Sequence, residues 1–178
     1  SSEERQRALE ALQIHGPAAD LSLLVNLAGS DVPELRSAAI KLIGTFSSPL
    51  SETVLTASLR DEDPGVVRRA AEGLVRLEQA TEAPLEGGGS LISELFSCLE
   101  HEDRFVSYSC RQALHRAPKS DWLPVVEQQN PNADPRAALE ALLAWVHKLE
   151  TEEEAGFLFE KLKQIRVTRL GLEPLLGY

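Results

Sequence analysis

The sequence predicts an all-α protein, a stack of helical hairpins. Small residues recur at Ala8, Ala39, Ala70, Cys110 and Ala141, at intervals of 31, 31, 40 and 31 residues. A fixed period in this range marks a repeat architecture. Around each small residue, apolar residues stand three, four and seven positions apart, the spacing of one helical face. No segment shows the alternation of a half-buried strand.

The first helix of each unit is read from that face. Four residues before the small residue stand Glu4, Leu35, Val66, Val106 and Ala137; four after stand Leu12, Ile43, Leu74, Leu114 and Trp145. One position before the latter come Ala11, Leu42, Gly73, Ala113 and Ala144. Pro33, Pro64 and Pro135 each fall six residues before their small residue, and proline suits the first helical turn because its missing N–H has no partner there. Asp63 and Asp134 precede two of these prolines as N-caps. First helices are therefore expected over about 2–15, 32–46, 64–79, 104–116 and 134–149.

Second helices follow the register of Leu24, Leu55, Leu95, Val126 and Phe157. Gly16-Pro17, Ser47-Ser48-Pro49, Pro118 to Ser120 and Asn130-Pro131 mark the breaks, and Thr151 with Glu154 reads as a capping box. Second helices are expected over about 18–29, 49–60, 90–100, 120–129 and 151–165, and a short closing helix over about 167–176. This divides a single domain, 1–178, into units 1–30, 31–61, 62–102, 103–132 and 133–165 with a capping segment 166–178. The third unit holds nine extra residues within 78–90, where Pro84 and Gly87 to Gly89 predict a mobile surface loop.

The 178 residues are 43% hydrophobic but only 5% aromatic, so Leu and Ala supply the core. The net charge of −10 repels phosphate backbones and argues against nucleic acid as a partner. One basic run, Lys161, Lys163, Arg166 and Arg169, reads as a solvated helix face, with a docking patch for an acidic partner as the alternative. Cys98 and Cys110 make no disulfide framework, which fits a cytoplasmic protein. No stretch approaches the roughly 18 apolar residues of a membrane span. The chain contains no Met and is expected to be part of a longer protein.

Asp63-Pro64-Gly65-Val66-Val67-Arg68-Arg69-Ala70-Ala71 and Asp31-Val32-Pro33-Glu34-Leu35-Arg36-Ser37-Ala38-Ala39 resemble the HEAT-repeat motif in its short bacterial-type form. The resemblance covers about 1–165. It implies a right-handed α–α superhelix of about five antiparallel hairpins, with second helices along the concave face. It also implies side-chain contacts between units through the pairings Asp31/Arg36 and Asp63/Arg68. The ladder breaks at Ser107 in the fourth unit and at Arg5, which has no Asp before it.

The residues argue against the catalytic readings of such a fold. An iron hydroxylase of this architecture uses several His-Glu pairs; this chain has one, His101-Glu102, in an inter-helix turn, too few ligands for a site. His15, His101, His115 and His147 lack the spacing of a zinc pair. His15 and His115 stand at helix ends, where an imidazolium favours the dipole. A DNA-glycosylase reading fails on charge and aromatic content. Neither cysteine has a nucleophile signature, and Gly87 to Gly89 lack the strand and Lys of a phosphate loop. Trp145 belongs to the buried series, and Trp122 is assigned to core or rim. A bilin-lyase-like ligand chaperone stays as an alternative through the resemblance, as does a purely structural segment of a longer solenoid.

The favoured reading is a non-catalytic scaffold or adaptor, with no cofactor or metal, that binds a protein or peptide segment. If second helices line the groove, the residues facing it are Thr56, Arg60, Phe96, Glu100 and Glu127. Phe96 and Arg60 would be the anchors, since aromatic and Arg side chains dominate interfaces.

Overall fold

The computed structural model describes residues 4–5, 7–9, 11, 20–85 and 88–165. These are helical with short connections, and no strand occurs among them. The helices are α1 (Leu21–Ala28), α2 (Pro33–Ile43), α3 (Pro49–Ser58), α4 (Pro64–Thr81), α5 (Gly88–Leu99), α6 (Arg104–Arg116), α7 (Lys119–Gln128), α8 (Pro135–Val146) and α9 (Glu152–Gln164). The predicted helix over 167–176 and the basic residues Arg166 and Arg169 lie outside the described residues, as does His15.

Caps begin the helices where the sequence places them. The carboxylates of Asp63 and Asp134 accept from the backbone N–H of Val66 and Ala137. Thr151 accepts from the N–H of Glu154, whose carboxylate accepts from the N–H of Glu150. The second of these bonds reaches one residue beyond the capping-box position, which would be the N–H of Thr151 itself.

The helices form two layers. Among the described residues, α2, α4, α6 and α8 pack successively on one another. Their small residues Ala39, Ala70, Cys110 and Ala141 are fully buried. The second helices α1, α3 and α5 each dock on the first helix of the following unit, and α9 docks on α8. Each hairpin thus covers the apolar face of its neighbour, the logic of a solenoid.

The end of α2 and the middle of α4 approach closely. A Cβ built on Gly44 would stand 2.6 Å from the Cα of Gly73, and one on Gly73 would stand 2.7 Å from the side chain of Leu55. Two glycines where the helices cross let the backbones meet.

Four expectations need correction. Ala8 is exposed, and Leu9 beside it is the buried residue, so the buried register shifts by one at the start of the stack. Phe157 is 41% exposed while Leu158 is buried; its ring instead lies against Trp145, 5.8 Å between centroids. The extra residues of the third unit are not all loop. α4 runs on to Thr81 and α5 begins at Gly88, while Leu85 is buried and ties the insert to the core. Finally, Arg36 does not pair with Asp31: its Nε and Nη2 each donate to Asp61 at 2.8 Å, and its Nη1 donates to the Ser30 carbonyl.

Trp122 and Trp145 are both core residues. His115 lies in the last turn of α6, but burial, the first of several causes, pushes its pKa down. Neutral imidazole, rather than the dipole-favoured imidazolium, is thereby preferred.

Candidate functional site

The adjacent first helices α4 and α6 enclose a surface groove of about 360 Å³. Its walls follow from the register of the buried small residues. Arg68 and Tyr108 stand two positions before Ala70 and Cys110; Glu72 and Gln112 stand two positions after them. Two positions along a helix is a rotation of about 200°, so these residues stand on the side turned away from the buried small residue. Val75, Arg76, Phe105 and Ser109 complete the lining. Phe105 and Tyr108 are 50% and 51% exposed, whereas most large apolar side chains among the described residues are buried or half-buried.

The polar groups are arranged around these rings. Glu72 accepts from Arg68 Nε at 2.8 Å and from Arg69 Nη1 at 2.7 Å. Burial pushes its carboxyl up, yet the two guanidinium groups outweigh that and hold it below the usual range. The guanidinium of Arg104 lies 4.8 Å from the Phe105 ring centroid and that of Arg68 5.4 Å from it. Arg111 lies 5.0 Å from the Tyr108 ring and also pairs with Glu140 on α8 at 2.9 Å.

Arg76 is the least satisfied cation of the groove. Its Nη2 donates a long bond, 3.4 Å, to the Lys41 carbonyl. Its Nε is buried without a hydrogen-bond partner among the described residues. Burial lowers its pKa, although a guanidinium stays charged at neutral pH. Together α4 and α6 carry six arginines (Arg68, Arg69, Arg76, Arg104, Arg111, Arg116) against two acids, Glu72 and Glu78. The local balance is +4 in a chain of net charge −10.

The residues singled out from sequence lie on the other layer, on α3, α5 and α7 or the turn after each. Arg60, just past α3, forms an ion pair with the buried Glu94 of α5. Its guanidinium holds the Glu94 carboxyl below its usual range. The hydroxyl of Thr56 is buried without a hydrogen-bond partner, and Phe96 is half-buried against the core. Glu100 and Glu127 are exposed. The Glu127 carbonyl accepts from Lys161 Nζ, which also bonds the Gln129 carbonyl. Lys161 therefore holds the end of α7, and Lys163 pairs with Glu160.

Sequence reasoning passed over Phe105 and Tyr108 because it sought the groove on the second helices. A usable signal was present: the arginines of α4 and α6 are segregated from the acids that dominate the rest of the chain.

Other chemistry has little footing. Among the described residues, no three His, Cys, Asp or Glu side chains converge as metal ligands. Cys98 and Cys110 are buried free thiols. The adjacent Cys98, together with burial, pushes the Cys110 thiol up, away from the thiolate a nucleophile needs. No helix among the described residues is long and apolar enough to cross a membrane.

Stacked antiparallel hairpins with first helices in one layer and second helices in the other define an all-α solenoid. Residues 1–76 match the family model of HEAT repeats, so that segment is similar to the HEAT-repeat proteins. The same hairpin packing continues past the matched segment to α9. No curated protein and no solved structure matches the chain significantly.

Proposed function

We propose that this chain is a non-catalytic scaffold or adaptor module that binds a segment of another protein in the α4–α6 groove. HEAT repeats generally mediate contacts between proteins. The single observation that supports this groove is the pair of half-exposed rings, Phe105 and Tyr108, on adjoining turns of α6. Aromatic and Arg side chains on a pre-formed surface are the residue types that dominate binding energy. They also lose little conformational freedom on binding.

The second-helix surface is the competitor. It offers Glu100 and Glu127 as exposed side chains, while Arg60 is engaged with Glu94. A protein partner is favoured over nucleic acid because the overall charge repels polyphosphate at long range. The free thiols agree with a reducing, cytoplasmic setting.

The test is affinity capture with paired variants. Phe105→Ala with Tyr108→Ala should abolish capture of partners held by the wild-type chain. Glu100→Lys with Glu127→Lys should leave that capture intact. The reverse pattern would move the site to the second-helix face.

A further inference from the structure

Resting on the groove reading above, we infer the chemistry of its occupant: an acidic peptide segment that places one carboxylate on Arg76, a second on Arg104 beside the Phe105 end of the groove, and an apolar side chain against Val75, Phe105 and Tyr108. Charge complementarity carries the inference. The groove lies between the two helices whose balance is +4 in an acidic chain, so the local charge is opposite in sign to that of the whole chain and favours an acidic ligand at short range.

The arginines are not equivalent. Arg68 and Arg69 share Glu72, Arg111 pairs with Glu140 and Arg116 with Glu78. Arg76 and Arg104 form no ion pair among the described residues. Arg104 has only its ring contact with Phe105, and Arg76 has one long bond and a buried Nε without an acceptor. A carboxylate arriving in the groove gives the half-buried Arg76 guanidinium the ion-pair partner it lacks, in the charge-assisted geometry guanidinium groups favour. The rings and Val75 then offer an apolar floor beside that charge, so a segment with an aromatic or branched side chain near its acid fits both features.

A single nucleic-acid strand also joins charge to stacking, but the groove favours the peptide. At about 360 Å³ it suits a few side chains rather than a run of nucleotides.

Short random peptides displayed on phage and selected on the immobilised full chain test this directly. The expected binders are rich in Asp or Glu, with an aromatic or branched apolar residue close by. Their affinity should fall about tenfold or more with Arg104→Gln, with Arg76→Gln and with Tyr108→Ala. Arg104 is exposed, so its substitution reads binding even if Arg76→Gln disturbs folding. Neutral or basic binders that Tyr108→Ala still abolishes would overturn the acidic ligand while leaving the groove in place. Binders indifferent to Tyr108→Ala and Phe105→Ala would overturn both readings. Tighter binding of an oligothymidylate than of any selected peptide would overturn the peptide in favour of nucleic acid.

Discussion

Arg36 clasps Asp61 through two hydrogen bonds of 2.8 Å and joins residues 25 positions apart. The guanidinium lies at the start of α2, while the carboxylate lies in the turn that leads from α3 to α4. One contact therefore closes the second hairpin and orients the third. Asp61 also accepts from the N–H of Asp63, the residue that caps α4. Both charged side chains are nearly buried, with side-chain exposures of 11% and 14%.

Removing one partner of such a pair leaves the other charge unpaired in a low-dielectric site. Asp61→Ala should cost about 3 kcal/mol, measured by urea unfolding, and more than Asp31→Ala, which breaks no contact with Arg36. The pair also sets a pH response. Burial pushes the Asp61 carboxyl up, but the hydrogen bonds and charge of Arg36 bring it below the ordinary value. Its contribution is present above the ordinary carboxylate pKa and is lost as pH falls through the depressed one. Acid unfolding of Asp61→Asn should be correspondingly shallower.

Gly44 and Gly73 should respond differently to Ala. At Gly44 the new Cβ meets the backbone of Gly73, which has no flexible end to yield. At Gly73 it meets the tip of the Leu55 side chain. Gly44→Ala should cost about 2–3 kcal/mol as an overpacked contact. Gly73→Ala should cost less, since a helix-propensity gain of about 1 kcal/mol offsets part of the clash. Thermal unfolding of both variants checks the order.

His115 packs edge-on against His147, 5.8 Å between ring centroids, and its Nδ1 lies 3.4 Å from the Ala144 carbonyl oxygen. Burial lowers its pKa most, and the nearby charges of Lys148, His147 and Arg116 act in the same direction. The unfolded chain takes up the proton first, so stability falls as pH drops below the ordinary histidine value near 6.5. Thermal midpoints between about pH 7.5 and 5.5 should decline in the parent and decline less in His115→Gln.

Leu85 is the apolar anchor of the third unit's insert. Leu85→Ser should release that segment and speed proteolysis between α4 and α5, because a nick requires local opening. Global stability should fall by about 2 kcal/mol, the scale of one lost apolar side chain. Rapid cleavage with an unchanged thermal midpoint would show that the anchor acts only locally.

The sequence by itself determined the hairpin period, the caps and the four buried residues Ala39, Ala70, Cys110 and Ala141. These are local signals: helical periodicity and backbone capping act within a few residues, so they are written in neighbouring letters. Only the tertiary structure decided that Arg36 reaches Asp61 rather than Asp31, and that Leu158 rather than Phe157 turns inward. It also decided that Arg60 is bound to Glu94 while Phe105 and Tyr108 flank a groove. Each of these depends on which helix lies beside which and on the crossing that Gly44 and Gly73 allow. A one-residue shift about a helix rotates a side chain by roughly 100°, enough to exchange core for surface without disturbing the repeat.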